Sequence, residues 1–438
     1  MTSEKEGTSS LALDARDYQL ILALQENPLI SYVDLSKKLD FISPVTIKNR
    51  IAKLREKEVI NSFSIYPDRK KLGLSTCVFY LETRNPRNVK ALEDLCNIHP
   101  YTIYYSRCYG GYNGLFTRFG IPDSGLKHLF DLFNRLKTEG WLDNYVYIET
   151  GGLSLVTQPV VKNWDLEGRK WRFNTKKWFK QINSQSGGLE SGHLFPSRTI
   201  TDKLEMLDFF ILYQLWDNAR VKQVKMLGNL AIDKMLHRDY GLTVDVTEYE
   251  EITKKNTETR RKPKKITISW NNGMFNEGSP QSTIIDKHVL SDRYQFLKRQ
   301  GILSDKRIIY NRMKFRLFNT LAFHGKAEKE MVIKLLNAIT NKEEPFPFNS
   351  GLHITSSFDE FSWWVTLDPT DLGVITDWFL DNSYEVRTSI LSAENSQIYP
   401  VWFKNFDSDS KKWHDNREWI VDHPLKAWQS TRAMKTDE

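Results

Sequence analysis

At 438 residues the chain exceeds what one ordinary hydrophobic core fills, so about two to four domains are expected. A formal net charge of +7 tolerates nucleic acid as a partner without demanding it. Cys77, Cys96 and Cys108 lack C-x-x-C spacing and a nearby histidine ladder, MTSEKEGTSS is no signal peptide, and no apolar run spans a bilayer, which argues against a zinc site, a disulfide framework, secretion and a membrane partner and points to a cytoplasmic protein without a cofactor.

Leu13–Gln25 is predicted to be a helix capped by Asp14, and Asn27-Pro28 stops it. A short second helix over Ser31–Leu39 carries Val33, Leu35 and Leu39. The turn Asp40–Ile42 leads into Phe41–Ile60, FISPVTIKNRIAKLREKEVI, the stretch around which the first segment is organised. Ser43 is the expected N-cap and Pro44 suits the first turn, where a missing N–H costs nothing. Ile47, Ile51 and Leu54 form one apolar stripe. The opposite side carries Thr46, Asn49, Lys53 and Lys57, flanked by Lys48 and Arg50. Helix, helix, tight turn, helix is the grammar of a helix-turn-helix, and a polar face of this kind suits a major groove. Val59–Tyr66 alternates as a strand, and the basic turn Pro67–Lys71 completes a wing whose Arg69, Lys70 and Lys71 would meet phosphate.

Asp14-x-x-Asp17, Ile21-Leu22, Ser43-x-x-x-Ile47-x-x-Arg50-Ile51-x-x-Leu54 and Val59-Ile60 together resemble the leucine-responsive regulator (Lrp/AsnC) family. The resemblance implies a winged helix-turn-helix followed by a small βαββαβ effector domain that makes dimers and binds small molecules. The family places glycine where this chain has Glu58, so the exit into the wing is expected to differ. Strands at Thr76–Thr83, Tyr101–Cys108, Leu115–Phe119 and Leu142–Ile148, with helices at Pro86–Asn97 and Asp123–Thr138, fit the effector domain. The resemblance puts an effector of the amino-acid class at the turn Gly110, Gly111, Tyr112 and Asn113. Arg107 stands close by to pair a carboxylate. Where the family has aspartate, this chain has Asn113, and a glycine-rich turn without a ligand is the plainer reading.

The second half repeats the first. Asp17–Asn27 lines up on Asp208–Asn218 at an offset of 191 residues, and Arg50–Leu54 on Arg293–Leu297 at 243. Gly301 takes the slot of Glu58. Lys162-Asn-Trp-Asp165 matches Lys404-Asn-Phe-Asp407. The change of offset marks an insertion, read as a β-hairpin over about 242–270 whose tip, Lys254–Lys265, includes Arg260, Arg261, Lys262, Lys264 and Lys265. Beside a DNA-reading helix this tip is expected to hold phosphates. Val289, Asp292 and Phe296 replace Thr46, Asn49 and Lys53, so the second helix is expected to read DNA weakly, with Arg293 as its main cation.

The expected fold class is α+β: two tandem units, each a winged helix-turn-helix followed by a ferredoxin-like βαββαβ effector/dimerisation domain. The expected boundaries are 11–73, 74–150, a connecting segment and Gly/Ser linker at 151–201, 202–314, 315–400, and a Trp-rich tail at 401–438. The expected function is a sequence-specific transcriptional regulator that binds double-stranded DNA, responds to a small-molecule effector and forms a homo-oligomer. No catalytic residues and no enzyme activity are expected. The alternatives are an enzyme similar to siroheme decarboxylases, whose pocket strands Tyr105-Ser-Arg107 and Tyr112–Thr117 resemble, and an assembly scaffold that binds no DNA.

Overall fold

The computed structural model describes residues 13–40, 43–149, 153–184, 198–221, 223–232, 243–253, 259–271, 280–341, 346–383 and 385–436. Phe41, Ile42, most of the Gly/Ser linker and Lys254–Glu258 lie outside the described residues.

The first three helices form as their sequences dictate. They are α1 (Ala15–Glu26), α2 (Tyr32–Lys38) and α3 (Pro44–Glu56). Asp14, Ser31 and Ser43 each accept a hydrogen bond from a backbone N–H of the first turn, which satisfies donors the helix leaves open. Ile47, Ile51 and Leu54 are buried against Leu20, Ile21, Leu24 and Leu35. Glu58 takes the left-handed conformation, φ +54°, that the resemblance assigns to glycine, and strand β1 (Ile60–Tyr66) follows. Next come β2 (Ser75–Glu82), α4 (Pro86–Ile98), β3 (Thr102–Gly110), β4 (Gly114–Ile121), α5 (Leu126–Thr138) and β5 (Asn144–Ile148). A connecting segment then supplies β6 (Leu153–Val156), the short pair β7 (Trp164–Asp165) and β8 (Lys170–Trp171), and α6 (Thr175–Ser184).

The second half opens with α7 (Met206–Asp217) and α8 (Gln223–Ile232). The insertion is a three-stranded sheet, not the expected hairpin: β9 (Thr243–Thr253), β10 (Thr259–Asn271) and β11 (Pro280–Asp286), with β10 in the middle. The sequence of β11, PQSTIID, hid this strand because among its polar residues only Ile285 is buried hydrophobic. Helix α9 (Lys287–Arg299) stands where α3 stands in the first half, capped by Asp286. Strand β12 (Asp305–Tyr310) leads to β13 (Asn319–Lys326), α10 (Lys329–Thr340), β14 (Ser350–Ile354), β15 (Glu360–Leu367), α11 (Leu372–Asn382) and β16 (Glu385–Ile398). The tail holds β17 (Phe406–Asp407), β18 (Lys412–Trp413) and α12 (His423–Thr436).

Within each half the four main strands take the order fourth, first, third, second, the ferredoxin-like arrangement. The halves then join edge to edge. Strand β3 pairs antiparallel with β16, with Leu391 opposite Cys108 and Ile390 opposite Tyr109, and a nine-stranded sheet β5-β2-β4-β3-β16-β13-β15-β14-β6 results. The first wing is likewise not a free hairpin: β1 pairs with β12 of the other half. Helices α5 and α11 pack on one face through Phe79–Phe133 and Phe323–Phe379 ring contacts. The other face, here the inner face, holds Val78, Tyr80, Tyr112 and Phe116 of the first half against Ala322, Trp364 and Leu391 of the second.

Each half is also strapped by the other's tail. The Trp171 indole donates to Phe315 O at 2.8 Å, and Phe179 of α6 stacks on Trp378 of α11 at 4.5 Å. Reciprocally, Trp413 donates to Leu72 O and Trp428 of α12 to Ala91 O, both at 2.7 Å.

Candidate functional site

Helix α3 is held by its apolar stripe and presents Lys48, Asn49, Lys53 and Lys57 to solvent, all exposed. Ser43 and Thr46 sit half-buried at its N-terminus, where the two hydroxyls bond each other at 3.0 Å and Ser43 Oγ accepts from the Thr46 N–H. Asn49, Lys53 and Lys57 exposed along one side of a short helix, with Lys48 on its flank, match the geometry by which major-groove helices read base edges. Helix α9 differs. Asp292 and Val289 are exposed on the matching face, and Phe296 lies under the Arg293 guanidinium at 4.3 Å.

Several cations expected at DNA are occupied elsewhere. Arg50 turns inward and donates to Asp14 at 2.8 Å and Asp17 at 2.6 Å, tying α3 to α1. Arg293 makes the same tie in the second half, to Asp208, Glu205 and the Lys203 carbonyl. Both arginines, expected at DNA, sit on the flank of their helix within reach of carboxylates at the start of the first helix of the same half, and act there as structural clamps. Arg69 is likewise expected at DNA. It folds under the sheet and donates to Tyr399 O at 3.4 Å, and burial beside Arg118 holds its guanidinium down to about 10. Lys71 donates to Gln300 O at 2.8 Å, closing the negative end of α9. Lys70 remains exposed. In the inserted sheet Lys264 pairs with Glu248 at 2.6 Å, and the register sets Arg261 opposite Glu251, Lys262 opposite Glu250 and Lys265 opposite Glu248. Glu248 on the neighbouring strand thus takes up the Lys264 charge. Lys262 and Lys265 are half-buried, and the side chains of Arg260 and Arg261 lie outside the described residues.

The expected effector residues do not converge. Arg107 points to the helix-covered face and forms a bidentate pair with the buried Glu93 at 2.7 and 2.8 Å. That carboxylate occupies the place an effector carboxylate would take, and pushes the guanidinium well above its ordinary range. Tyr112 points to the opposite, inner face, stacked on Tyr80 at 4.2 Å. Its hydroxyl bonds His324 Nδ1, and His324 Nε2 faces Glu360 at 2.7 Å. Asn113 stays exposed and closes the turn onto Gly110. Gly110 has φ +111°, and a Cβ on Gly111 would lie 2.9 Å from the Thr388 backbone. The glycines let this hairpin press against β16, which is a packing role.

The model of the winged helix-turn-helix DNA-binding family matches residues 13–61. An uncharacterized HTH-type transcriptional regulator of Pyrococcus abyssi is 32% identical over 111 residues, covering 25% of this chain and 73% of that protein. The chain belongs to the HTH-type transcriptional regulators. Among solved structures, E. coli AsnC is 22% identical and covers 31% of the regulator and 90% of its own chain, with a TM-score of 0.26. The siroheme decarboxylase NirDL is 10% identical and covers 94% of the regulator and 99% of its own chain, with a TM-score of 0.48. NirDL is an enzyme, and the expectation that the chain is no enzyme is withdrawn. Among the described residues, no helix of the regulator is long and apolar enough to cross a membrane.

Sequence reasoning missed the polar residues of the regulator's inner face. Arg118 on β4 and His353 on β14 come from opposite halves. Arg118 Nε and both nitrogens of His353 are buried without a hydrogen-bond partner. The signal was present: Phe116-Thr-Arg118 alternates, and its period places Arg118 on the same face as the core residue Phe116. Nothing in the sequence says that two such faces meet.

Proposed function

We propose that this regulator binds double-stranded DNA sequence-specifically in the manner of the Lrp/AsnC family, acting in the cytoplasm as a tandem-duplicated long form whose two halves make a pseudo-dimer within one chain. The observation that carries this reading is the solvent-facing row Lys48, Asn49, Lys53 and Lys57 on a helix whose other side is locked in the core. Asn49 and Lys53 supply sequence reading; Lys48, Lys57 and Lys70 supply phosphate attraction. The second half contributes through the inserted sheet more than through α9, because exposed Asp292 repels phosphate. Higher homo-oligomers belong to this reading. Ile390 and Tyr109, paired across the joint and 53% and 48% exposed, offer an apolar patch for a second copy. Control by a small molecule belongs to it as well, through a site other than the Gly110 turn.

The test is footprinting of genomic fragments with the wild type and with Asn49→Ala combined with Lys53→Ala. The double change is expected to abolish the protected site while non-specific binding persists. An unchanged footprint would sink the assignment of α3.

A further inference from the structure

Among the described residues, the inner face carries guanidiniums that no carboxylate pairs. Arg118 shares its face with Phe116 and lies opposite Tyr104 on the neighbouring strand. His353 lies opposite Ser362, whose hydroxyl bonds Tyr80 at 3.0 Å, so it faces the same interior from the other half. The Trp364 indole N–H, on that face too, has no partner. Arg69 reaches in from the turn after β1; its nearest polar partner is the Tyr399 carbonyl. Two more guanidiniums border the region. Arg312 donates to the hydroxyls of Thr320 and Thr366 at 3.2 and 3.0 Å, and Arg307 lies 4.5 Å over the Tyr66 ring. Among the described residues, Arg307 has a carboxylate partner, Asp305, and the other three arginines have none. Arg69 and Arg118 are each half-buried.

A guanidinium withdrawn from water without a carboxylate is costly, and a second one beside it adds repulsion. Burial holds both guanidiniums down to about 10, with repulsion from Arg118 added at Arg69 and from Arg307 added at Arg118. His353 is kept neutral by burial and by Arg118, so one ring nitrogen donates and the other accepts. Tethered arginines with open donors, an indole N–H and a neutral imidazole together recognise planar oxyanions. We propose that the space between Arg69, Arg118, His353 and Trp364 is the binding site of a small molecule carrying at least two oxyanion groups, carboxylate or phosphate, contributed to by both halves of the chain. The site lies apart from the exposed face of α3 and binds its ligand whether or not DNA is bound, so it stands independently of the DNA-binding reading.

The test is thermal unfolding and titration calorimetry on the full chain, without DNA, using citrate, succinate, inorganic phosphate and pyrophosphate against chloride at equal ionic strength. The citrate and pyrophosphate arms separate carboxylate from phosphate ligands. Wild type is expected to gain about 4 °C in Tm at a hundredfold excess over Kd. Arg118→Met is expected to lose that gain while its own Tm without ligand stays at or above wild type, since an unbalanced charge has been removed. Lys53→Ala keeps the gain. The proposal fails if no anion shifts the wild type at millimolar concentration. It fails if Arg118→Met keeps the shift or Lys53→Ala loses it. It also fails if Arg118→Met lowers the Tm without ligand, because the arginine would then be serving the fold alone.

Discussion

Replacing the two clamp arginines separates structure from recognition in this protein. Arg50 keeps 24% of its side chain exposed, and its partners Asp14 and Asp17 keep 53% and 14%. Solvent therefore shares the load, and Arg50→Ala should cost about 1–2 kcal/mol. Arg293 is 17% exposed and its partner Asp208 is fully buried. Arg293→Ala strands that carboxylate and should cost about 3–5 kcal/mol. The pH dependence gives a second signature. Burial raises the Asp208 carboxyl, and Arg293 pulls it back. Without Arg293 it rises further. A raised carboxyl adds stability that is full below its unfolded value and is lost as pH climbs through the folded one, so the deficit of Arg293→Ala should shrink as pH falls toward about 4. Urea unfolding followed by tryptophan fluorescence measures both costs. Fluorescence anisotropy on DNA at several salt concentrations measures recognition. Arg50→Ala should keep the wild-type salt slope, whereas Lys57→Ala should flatten it by roughly 0.9. If Arg50→Ala unfolds at the wild-type urea concentration and flattens the slope by that amount, Arg50 is a phosphate ligand and the clamp argument is wrong.

His99 is buried with its Nε2–H toward the Ile420 carbonyl at 3.1 Å and Nδ1 accepting from the Tyr101 N–H, and burial pushes its imidazole down to about 3. Between about 3 and 6.5 only the unfolded chain takes the proton, so stability should fall by about 2 kcal/mol from pH 7 to pH 5 and be flat above, a slope that His99→Gln removes in urea titrations. Glu58→Gly should raise stability by about 1 kcal/mol, because the left-handed turn at φ +54° strains any side chain; an unchanged or lower urea midpoint would count against strain at this position.

The sequence was most informative where interactions are local. Caps, the Ile47–Ile51–Leu54 stripe and the strand–helix order of both effector-type domains were all readable from it. In the sequence Asp17 and Arg50 also align with Asp208 and Arg293. Their role was not readable: the clamp forms between helices, and a cation on a helix flank looks the same whether it faces phosphate or a carboxylate many residues away. The same limit hid the pairing of β1 with β12 and of β3 with β16. Edge strands advertise open hydrogen bonds without naming their partner. Arg107 misled for a similar reason, because Glu93 sits a helix away and takes up its fork.

The crossed tails fix when the molecule can mature during synthesis. Ala91 and Leu72 belong to the first half, yet they wait for Trp428 and Trp413, which the ribosome delivers some three hundred residues later. Until then the α4–α5 layer of the first half stays open to water and to strangers, although its own sheet is already complete. The converse wait is short: Trp171 and Phe179 are in place before Phe315 and Trp378 emerge. Assembly is therefore lopsided even though the finished halves mirror one another, and an arrested chain that lacks its last segment exposes its oldest part, not its newest.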